Sequence, residues 1–402
     1  MFRRVVITGV GPVSSIGIGA SAFADGLRAG ANGVSPISSF DSTGFPHVMA
    51  GEVPDFDPKS LLERISPQAW GRTSQFAASA ARLAVQDAGI DPTELSRSAA
   101  GSCMGTTSGE SQVLEALTEE SLRTGFAGVD RSLMGHVPAS RLAVAVNREL
   151  GLTGEALTLS TACSASNYAI GHGYDQIHTG ELDYVITGGA DSVVRWGHAG
   201  FFRLGAVAEK QCRPFDKDRT GIITGEGGAA VFLESLDSAL ERGARIYAEV
   251  LGYGLNCDAN HMTAPNKDSI VRCIELAHRN AGIQPSDVDY ICAHGTGTPA
   301  NDLVEATAVS EAFDGNPPPI SSVKSMLGHT MGAASGFSAI ASVLGIHESF
   351  MPPTTNFSEL DPQIPPIDPV PNEARYQRVD IAQVNGFAFG GNNAITIFGR
   401  YS

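Results

Sequence analysis

One cysteine stands at a position where its side chain could act as a nucleophile. Cys163 lies where a short apolar run gives way to small residues, and the segment 167–177 that follows has apolar residues at roughly helical spacing. A thiol at the start of a helix feels the positive end of the helix dipole, which favours the thiolate. The position alone is equally compatible with a nucleophile and with a small buried side chain.

Two histidines stand at the ends of other predicted elements. His294 follows the predicted strand 289–293, and His329 ends the segment 322–329, which also contains Lys324. Considered singly, each histidine is better interpreted as a structural residue. A catalytic interpretation needs an architecture that brings them to Cys163.

An internal duplication supplies that architecture. The segment 88–95 is echoed by 281–288 at an offset of 193, and the predicted strand 5–11, which ends in a glycine turn, is echoed by 248–254 at an offset of 243. A weaker echo pairs 164–170 with 334–340, an offset of 170. The sequence thus predicts two strand–helix–strand halves, residues 1–245 with capping insertions and residues 246–402, and an α/β fold. If the halves are related by a pseudo-twofold axis, the helix after Cys163 begins near its counterpart after His329.

Composition excludes several classes of protein. The 402 residues contain 27 Lys+Arg and 43 Asp+Glu, a formal net charge of −16, and no basic run suits nucleic acid or an anionic membrane. No apolar stretch reaches membrane-spanning length. The six cysteines are scattered without zinc spacing, so we expect no metal site, a reducing compartment and a cytoplasmic location.

Several motifs together resemble one enzyme family. Thr161-Ala-Cys163, His294-Gly-Thr-Gly-Thr298, Lys324-Ser-Met-Leu-Gly-His329 and Phe389-Gly-Gly are similar to signatures of the β-ketoacyl-ACP synthases, and they occur in the family's order. The stretch 212–219, followed by Gly-Glu-Gly at 225–227, is similar to another part of that family. The resemblance implies a thiolase fold, with duplicated βαβ halves in a layered α-β-α-β-α architecture. It also implies a decarboxylative Claisen condensation with malonyl-ACP.

The resemblance implies roles for the reacting residues. Cys163 would hold the acyl chain as a thioester, and His294 and His329 would donate hydrogen bonds to the enolate as neutral imidazoles. Lys324 and Glu305 resemble the family's buried pair that supports the histidines. No tightly bound cofactor is implied, because the substrates are carried on the phosphopantetheine of acyl carrier protein.

Further roles are implied around this centre. The backbone N–H groups of Cys163 and Phe389 would form the oxyanion hole, and Phe389 would gate the acyl pocket. Ser108 and Phe202 are expected in that pocket, and Thr296 and Thr298 resemble contacts to the pantetheine arm. Ser108 stands where many members have a bulky aliphatic residue, which suggests a longer or less apolar chain.

The departures from the family pattern bear on the pathway. The stretch 65–72, where housekeeping members carry several basic residues for carrier-protein docking, has only Arg72. With Ser108, this favours the ketosynthase of a type II polyketide or polyene pathway, paired with a related chain-length factor. The alternative is a homodimeric fatty-acid elongating synthase. A non-catalytic chain-length factor would lack Cys163, and a thiolase would need a second catalytic cysteine, where this chain has Ala388.

Overall fold

The computed structural model of the protein describes residues 2–402. Its sixteen strands, in chain order, are β1 (Val5–Ser14), β2 (Gly17–Ile18), β3 (Ser35–Pro36), β4 (Met49–Gly51), β5 (Ala100–Gly105), β6 (Ala156–Leu159), β7 (Tyr184–Asp191), β8 (Thr224–Gly225), β9 (Gly227–Ser235), β10 (Ala248–Cys257), β11 (Tyr290–Cys292), β12 (Ile320–Ser321), β13 (Phe350–Met351), β14 (Arg375–Tyr376), β15 (Ile381–Phe387) and β16 (Asn392–Gly399). Its fourteen α-helices are α1 (Ala20–Ala29), α2 (Pro58–Leu61), α3 (Arg72–Ala88), α4 (Pro92–Arg97), α5 (Ser111–Thr124), α6 (Arg131–Met134), α7 (Arg141–Leu150), α8 (Ala165–His178), α9 (Arg195–Arg203), α10 (Leu236–Glu241), α11 (Lys267–Ala281), α12 (Pro299–Ala312), α13 (Lys324–Leu327) and α14 (Ala334–Glu348).

The main sheet is built from two copies of one five-strand pattern. In the first half the order is β1-β9-β7-β5-β6, and in the second half it is β10-β16-β15-β11-β12. The directions correspond as well, because β1–β9, β9–β7, β10–β16 and β16–β15 are antiparallel whereas the outer pairs are parallel. The two first strands, β1 and β10, pair antiparallel and join the halves. The predicted duplication is therefore present.

Helices arrange these halves in five layers. Helices α8 and α14 contact each other and strands of both halves, so they form the central layer. Helices α3 and α7 cover the outer face of the first half, and α11 and α12 cover that of the second. The α-β-α-β-α architecture expected from the family resemblance is confirmed.

The two stronger sequence echoes agree with structural equivalences. Helices α3 and α11 end at Ala88 and Ala281, which are 193 residues apart. The register of β1 against β9 shifts between Ile7 and Gly9, and that of β10 against β16 shifts between Val250 and Gly252. These positions differ by 243, the predicted offset. The predicted glycine turn at the end of β1 is wrong, because the strand continues to Ser14. At Gly11 a Cβ atom would lie 1.9 Å from the Ala80 carbonyl oxygen, so the glycine allows α3 to pack closely on the strand.

The third echo is out of register by one residue. Helices α8 and α14 begin 169 residues apart, and the turns that precede them place Ala162 and Met331 at the same positive φ of 52°. Cys163 is therefore equivalent to Gly332. The predicted offset of 170 is wrong because small residues repeat along both segments and give sequence comparison no distinctive side chain.

The predicted boundary between the two halves, at residues 245 and 246, falls between α10 and β10. Within residues 2–402, none of the helices combines the length and the apolar character that crossing a membrane requires.

Candidate active site

Cys163, His294 and His329 meet where the two halves face each other. Cys163 lies in the 3-10 turn before α8, His294 follows β11, and His329 lies between α13 and α14. The sulfur and one ring nitrogen of each histidine lie within 4.8 Å of one another, and all three side chains are buried. The ring centroids of the histidines are 5.6 Å apart, at an interplanar angle of 83°. The three residues predicted to act together thus surround one point.

The protonation of His329 follows from one backbone contact. The N–H of Met331 donates a 3.1 Å hydrogen bond to Nδ1 of His329. A ring nitrogen that accepts a hydrogen bond carries no proton, so the neutral ring of His329 holds its hydrogen on Nε2. Burial, and then the charge of Lys324, hold the pKa of His329 well below its usual range. His329 is therefore a neutral donor through Nε2–H.

His294 is held mainly through its backbone. Its N–H donates to Oε1 of Glu305 at 2.8 Å, and its carbonyl accepts a 2.5 Å hydrogen bond from Nζ of Lys324. Burial, Lys324 and His329 together hold the pKa of its ring well below the usual range. This histidine is also neutral at physiological pH.

Lys324 and Glu305 do not make the direct ion pair that the family resemblance implied. Each binds the segment at His294 instead, Lys324 at the carbonyl and Glu305 at successive N–H groups, the second being Gly295 at 2.7 Å. Glu305 also accepts from Asn385 at 3.0 Å. Burial raises the pKa of Glu305 and lowers that of Lys324, so the neutral forms of both are favoured relative to water.

Cys163 is a thiol rather than the thiolate that a helix start suggested. Burial raises its pKa to about 12, although Lys324 and the backbone N–H groups of Cys163 and Phe389 act in the opposite direction. The expectation of a thiolate is wrong because desolvation outweighs the helix dipole. The backbone N–H groups of the two expected oxyanion-hole residues, Cys163 and Phe389, both lower the pKa of the thiol.

Two cavities share a border beside this centre, at Phe201 and Phe389. The first has about 640 Å³ of empty space and reaches the three reacting side chains past Met262, Thr296 and Thr298. The second has about 780 Å³ and is lined by Ser108 in the turn after β5, by Asp191 at the end of β7 and by Trp196 and other residues of α9. Phe201 and Phe389 border both cavities, with ring centroids 5.4 Å apart. Phe389 therefore stands where a gate was expected.

The positive-φ residues after Phe389 keep its loop tight. Gly390 and Gly391 have φ of 84° and 78°, and a Cβ atom on Gly391 would lie 2.6 Å from Cβ of Asp258. Any residue other than glycine at position 391 would displace Asp258.

The expected pantetheine contacts lie along the first cavity. Thr296 and Thr298 hydroxyls are 2.9 Å apart, and both side chains line the wall. The Thr298 hydroxyl also accepts from the Asn301 N–H at 3.3 Å and caps α12. It has a structural role besides any contact to substrate.

Phe202 does not lie in the acyl pocket where we expected it. Its ring contacts His47 at a centroid distance of 5.4 Å, and it borders neither cavity. The adjacent Phe201 takes that place, because successive residues of a helix point about 100° apart. Ser108 lies in the second cavity, as expected.

Sequence reasoning missed Asp191, the last residue of β7. This buried carboxylate lines the second cavity and accepts four hydrogen bonds. The available signal was an acidic residue directly after the buried run and the Gly188-Gly189 pair, where a site edge is expected.

The expected docking stretch offers little free positive charge. Trp70 is buried, and the guanidinium of Arg72 binds Glu226 and the carbonyl of Val53. The single arginine of this stretch is therefore engaged within the protein.

The donor atoms of this centre would also suit a metal. A thiol and two imidazoles are typical zinc-binding groups, and three of them lie together here. The expectation of a metal-free site stays a prediction.

Comparisons with known proteins place the chain among condensing enzymes. Sequence models of the β-ketoacyl synthase N-terminal and C-terminal domains match residues 2–239 and 247–358. The 3-oxoacyl-[acyl-carrier-protein] synthase 2 of Synechocystis is 37% identical over 99% of this chain and 98% of its own length. A solved structure described as the ishigamide ketosynthase/chain length factor has a TM-score of 0.98 and 49% identity, with full coverage of both chains. Another, a type II polyketide synthase acyl carrier protein in complex with its ketosynthase bound to the hexaketide, has a TM-score of 0.92 and 28% identity, also with full coverage of both chains.

Proposed function

The chain belongs to the β-ketoacyl synthase family, and from this premise we propose that it is the condensing subunit of a type II polyketide or polyene pathway. It is an acyltransferase with β-ketoacyl-ACP synthase activity. The observation that carries the residue assignment is the approach of the Cys163 sulfur and the two histidine nitrogens within 4.8 Å of one another, in the wall of the first cavity.

In the first step the acyl group moves to Cys163. The thiol sulfur attacks the carbonyl of an acyl thioester on phosphopantetheine, and the N–H groups of Cys163 and Phe389 stabilise the oxyanion. The C–S bond to the carrier then breaks, and the Cys163 proton leaves with the pantetheine sulfur as its thiol. Burial raises the pKa of the Cys163 thiol, so a route in which proton loss accompanies attack is favoured over prior formation of the thiolate.

In the second step malonyl-ACP loses its carboxylate as CO2. The electron pair of the broken C–C bond forms an enolate, and its oxygen accepts hydrogen bonds from His294 and from Nε2–H of His329. The enolate carbon attacks the acyl carbonyl on Cys163, the C–S bond breaks, and Cys163 leaves as a thiolate that takes a proton from solvent. Neutral imidazoles suit this role because they donate without adding a buried charge.

The pathway assignment is supported by the acyl cavity and by one relative. The second cavity has the small Ser108 in its wall, where a bulky aliphatic residue would leave less room for the acyl chain. The similar structure at 49% identity is described as a ketosynthase/chain length factor, so we propose a chain-length factor as the partner here, beside acyl carrier protein. The second candidate is fatty-acid elongation, which the 37% identity to the Synechocystis synthase favours.

Two substitutions at Cys163 test the chemistry. Cys163→Ala should abolish both the acyl-enzyme and elongation, measured by mass spectrometry with acyl-ACP and malonyl-ACP. Cys163→Gln, which resembles the acylated residue in size, should still release CO2 from malonyl-ACP. Cys257→Ala is a matched control because that cysteine is exposed and lies in neither cavity wall. Normal elongation by Cys163→Ala, or no CO2 release by Cys163→Gln, would refute the assignment.

The pathway needs a separate experiment. The protein should be purified after coexpression with the products of its neighbouring genes, and its assembly measured by native mass spectrometry. A heterodimer with a related chain that lacks the active-site cysteine supports the polyketide proposal. A homodimer that elongates saturated acyl-ACP favours the fatty-acid alternative.

A further inference from the structure

One buried carboxylate beside the reaction centre takes no part in the chemistry described so far. Oδ1 of Asp191 accepts from the Thr106 hydroxyl at 2.8 Å and the Ser108 N–H at 3.1 Å. Its Oδ2 accepts from the Thr107 N–H at 2.7 Å and the Gly332 N–H at 2.6 Å. A single side chain thus joins two turns that come from different halves of the chain.

The first turn forms part of the acyl-pocket wall. Thr107 and Ser108 both line the second cavity, and both donate their backbone N–H groups to Asp191. Thr106 is fully buried and adds its hydroxyl. The position of this wall is therefore tied to the Asp191 carboxylate.

The second turn determines the state of His329. Met331 has a φ of 52°, a region that side-chain-bearing residues adopt only when their surroundings enforce it. Its N–H donates to Nδ1 of His329, and the next N–H, that of Gly332, donates to Asp191. A Cβ atom on Gly332 would lie 2.4 Å from Cα of Thr106, so the two turns touch directly. Asp191 is one of the groups that hold the strained peptide in place.

We propose that Asp191 is a positioning residue for the decarboxylation step, which holds the Met331–Gly332 turn so that His329 keeps its Nε2–H directed at the enolate. This inference rests on the proposed function of His329. Burial raises the pKa of Asp191 to about 6, so at neutral pH the side chain is mainly a carboxylate with acceptors at both oxygens. Its negative charge also raises the pKa of the nearby Cys163 thiol.

Two variants separate positioning from charge. Asp191→Ala removes every acceptor, so the Met331–Gly332 turn loses its anchor. Asp191→Asn removes the charge but can turn its remaining carbonyl oxygen toward the Gly332 and Thr107 N–H groups. The amide N–H₂ then faces the Thr106 hydroxyl, which can accept, and the Ser108 N–H, which loses its acceptor. We therefore expect the asparagine variant to retain the positioning role.

The measurement compares the two half-reactions at pH 7. For Asp191→Ala, kcat for CO2 release from malonyl-ACP should fall at least about 10-fold more than the rate of acyl transfer to Cys163, with KM little changed. Asp191→Asn should keep the wild-type ratio of the two rates within about 3-fold. In both variants the pH midpoint of Cys163 alkylation by iodoacetamide should move lower, because the nearby negative charge is gone.

A matched control lies at the other end of the same strand pair. Asp191 pairs with Gly227 and Tyr184 pairs with Glu234, so Glu234 is seven residues and about 23 Å from Asp191 along β9. Glu234 is also a fully buried carboxylate, bound by the Thr8 and Ser238 hydroxyls and Arg242. Glu234→Ala should lower thermal stability while leaving the ratio of the half-reactions unchanged.

Several results would overturn the proposal. The first is a ratio of CO2 release to acyl transfer that stays at the wild-type value in Asp191→Ala. The second is a fall in this ratio that is equally large in Asp191→Ala and Asp191→Asn. The third is the same fall in Glu234→Ala. If Asp191→Ala does not fold, Asp191→Ser, whose hydroxyl is too short to reach Gly332, replaces it with the same expected ratio. Absence of CO2 release by the wild-type enzyme would instead refute the proposed function, so the two failures are distinguishable.

Discussion

The ammonium of Lys324 donates a 2.5 Å hydrogen bond to the backbone carbonyl of His294, and both residues are buried. A positive charge therefore lies behind the histidine that must stay neutral. It lowers the pKa of His294 and also that of His329, in each case after the larger effect of burial. The same lysine therefore holds the His294 segment in place and keeps the pKa of both histidines low.

Replacing this lysine should move the acid limb of the pH profile. In Lys324→Met the positive charge is lost, so the pKa of both histidines should rise toward its ordinary value near 6.5. A protonated His329 cannot accept the Met331 N–H, so CO2 release should decline at a higher pH than in the wild-type enzyme. The measurement is the rate of malonyl-ACP decarboxylation between about pH 5 and 8.

The surface residue Lys217 provides the control for that experiment. It is partly exposed and pairs with Glu359 at 2.5 Å, away from both cavities. Lys217→Met should leave the pH profile unchanged. An acid limb that does not move in Lys324→Met would contradict the electrostatic role.

Enlarging the residue in the acyl-pocket wall should shorten the accepted chains. Ser108→Ile adds apolar volume to the second cavity, so the longest chains accepted by the wild-type enzyme should lose about 10-fold or more in kcat/KM. Competition among acyl-ACPs of graded length, read by mass spectrometry of the acyl-enzyme, measures the profile. Ser132→Ile, at an exposed position outside both cavities, is the control. An unchanged profile in Ser108→Ile would reject the pocket assignment.

Two adjacent phenylalanines on α9 should behave differently. Phe201→Ala opens the partition between the cavities, so the preference among acyl chains should weaken by about 10-fold, which is within the range of one pocket contact. Phe202→Ala should keep the chain preference and lose its contact with His47, worth about 0.5–1.5 kcal/mol of stability beyond the loss of buried ring area. The same competition assay and thermal unfolding separate these outcomes. A changed chain preference in Phe202→Ala alone would show that Phe202, and not Phe201, borders the acyl pocket.

The sequence predicted the duplication well where the repeated residues had distinct side chains. The offset of 243 between β1 and β10 coincides with the register shifts at Gly9 and Gly252. The echo around Cys163 was wrong by one residue because alanine, serine and glycine are interchangeable in such a segment. Phe201 and Phe202 could not be told apart for a related reason, since sequence does not state how a helix is rotated against a cavity.

The sequence by itself determined the α/β class, the two halves and the three residues that meet at the centre. Those properties depend on residue types and on patterns that repeat along the chain. Only the tertiary structure decided that Cys163 is protonated, that Lys324 and Glu305 bind the His294 segment rather than each other, and that Asp191 joins two distant turns. Burial, hydrogen-bond direction and electrostatic distance are properties of the packed chain, because they depend on residues that lie far apart in sequence.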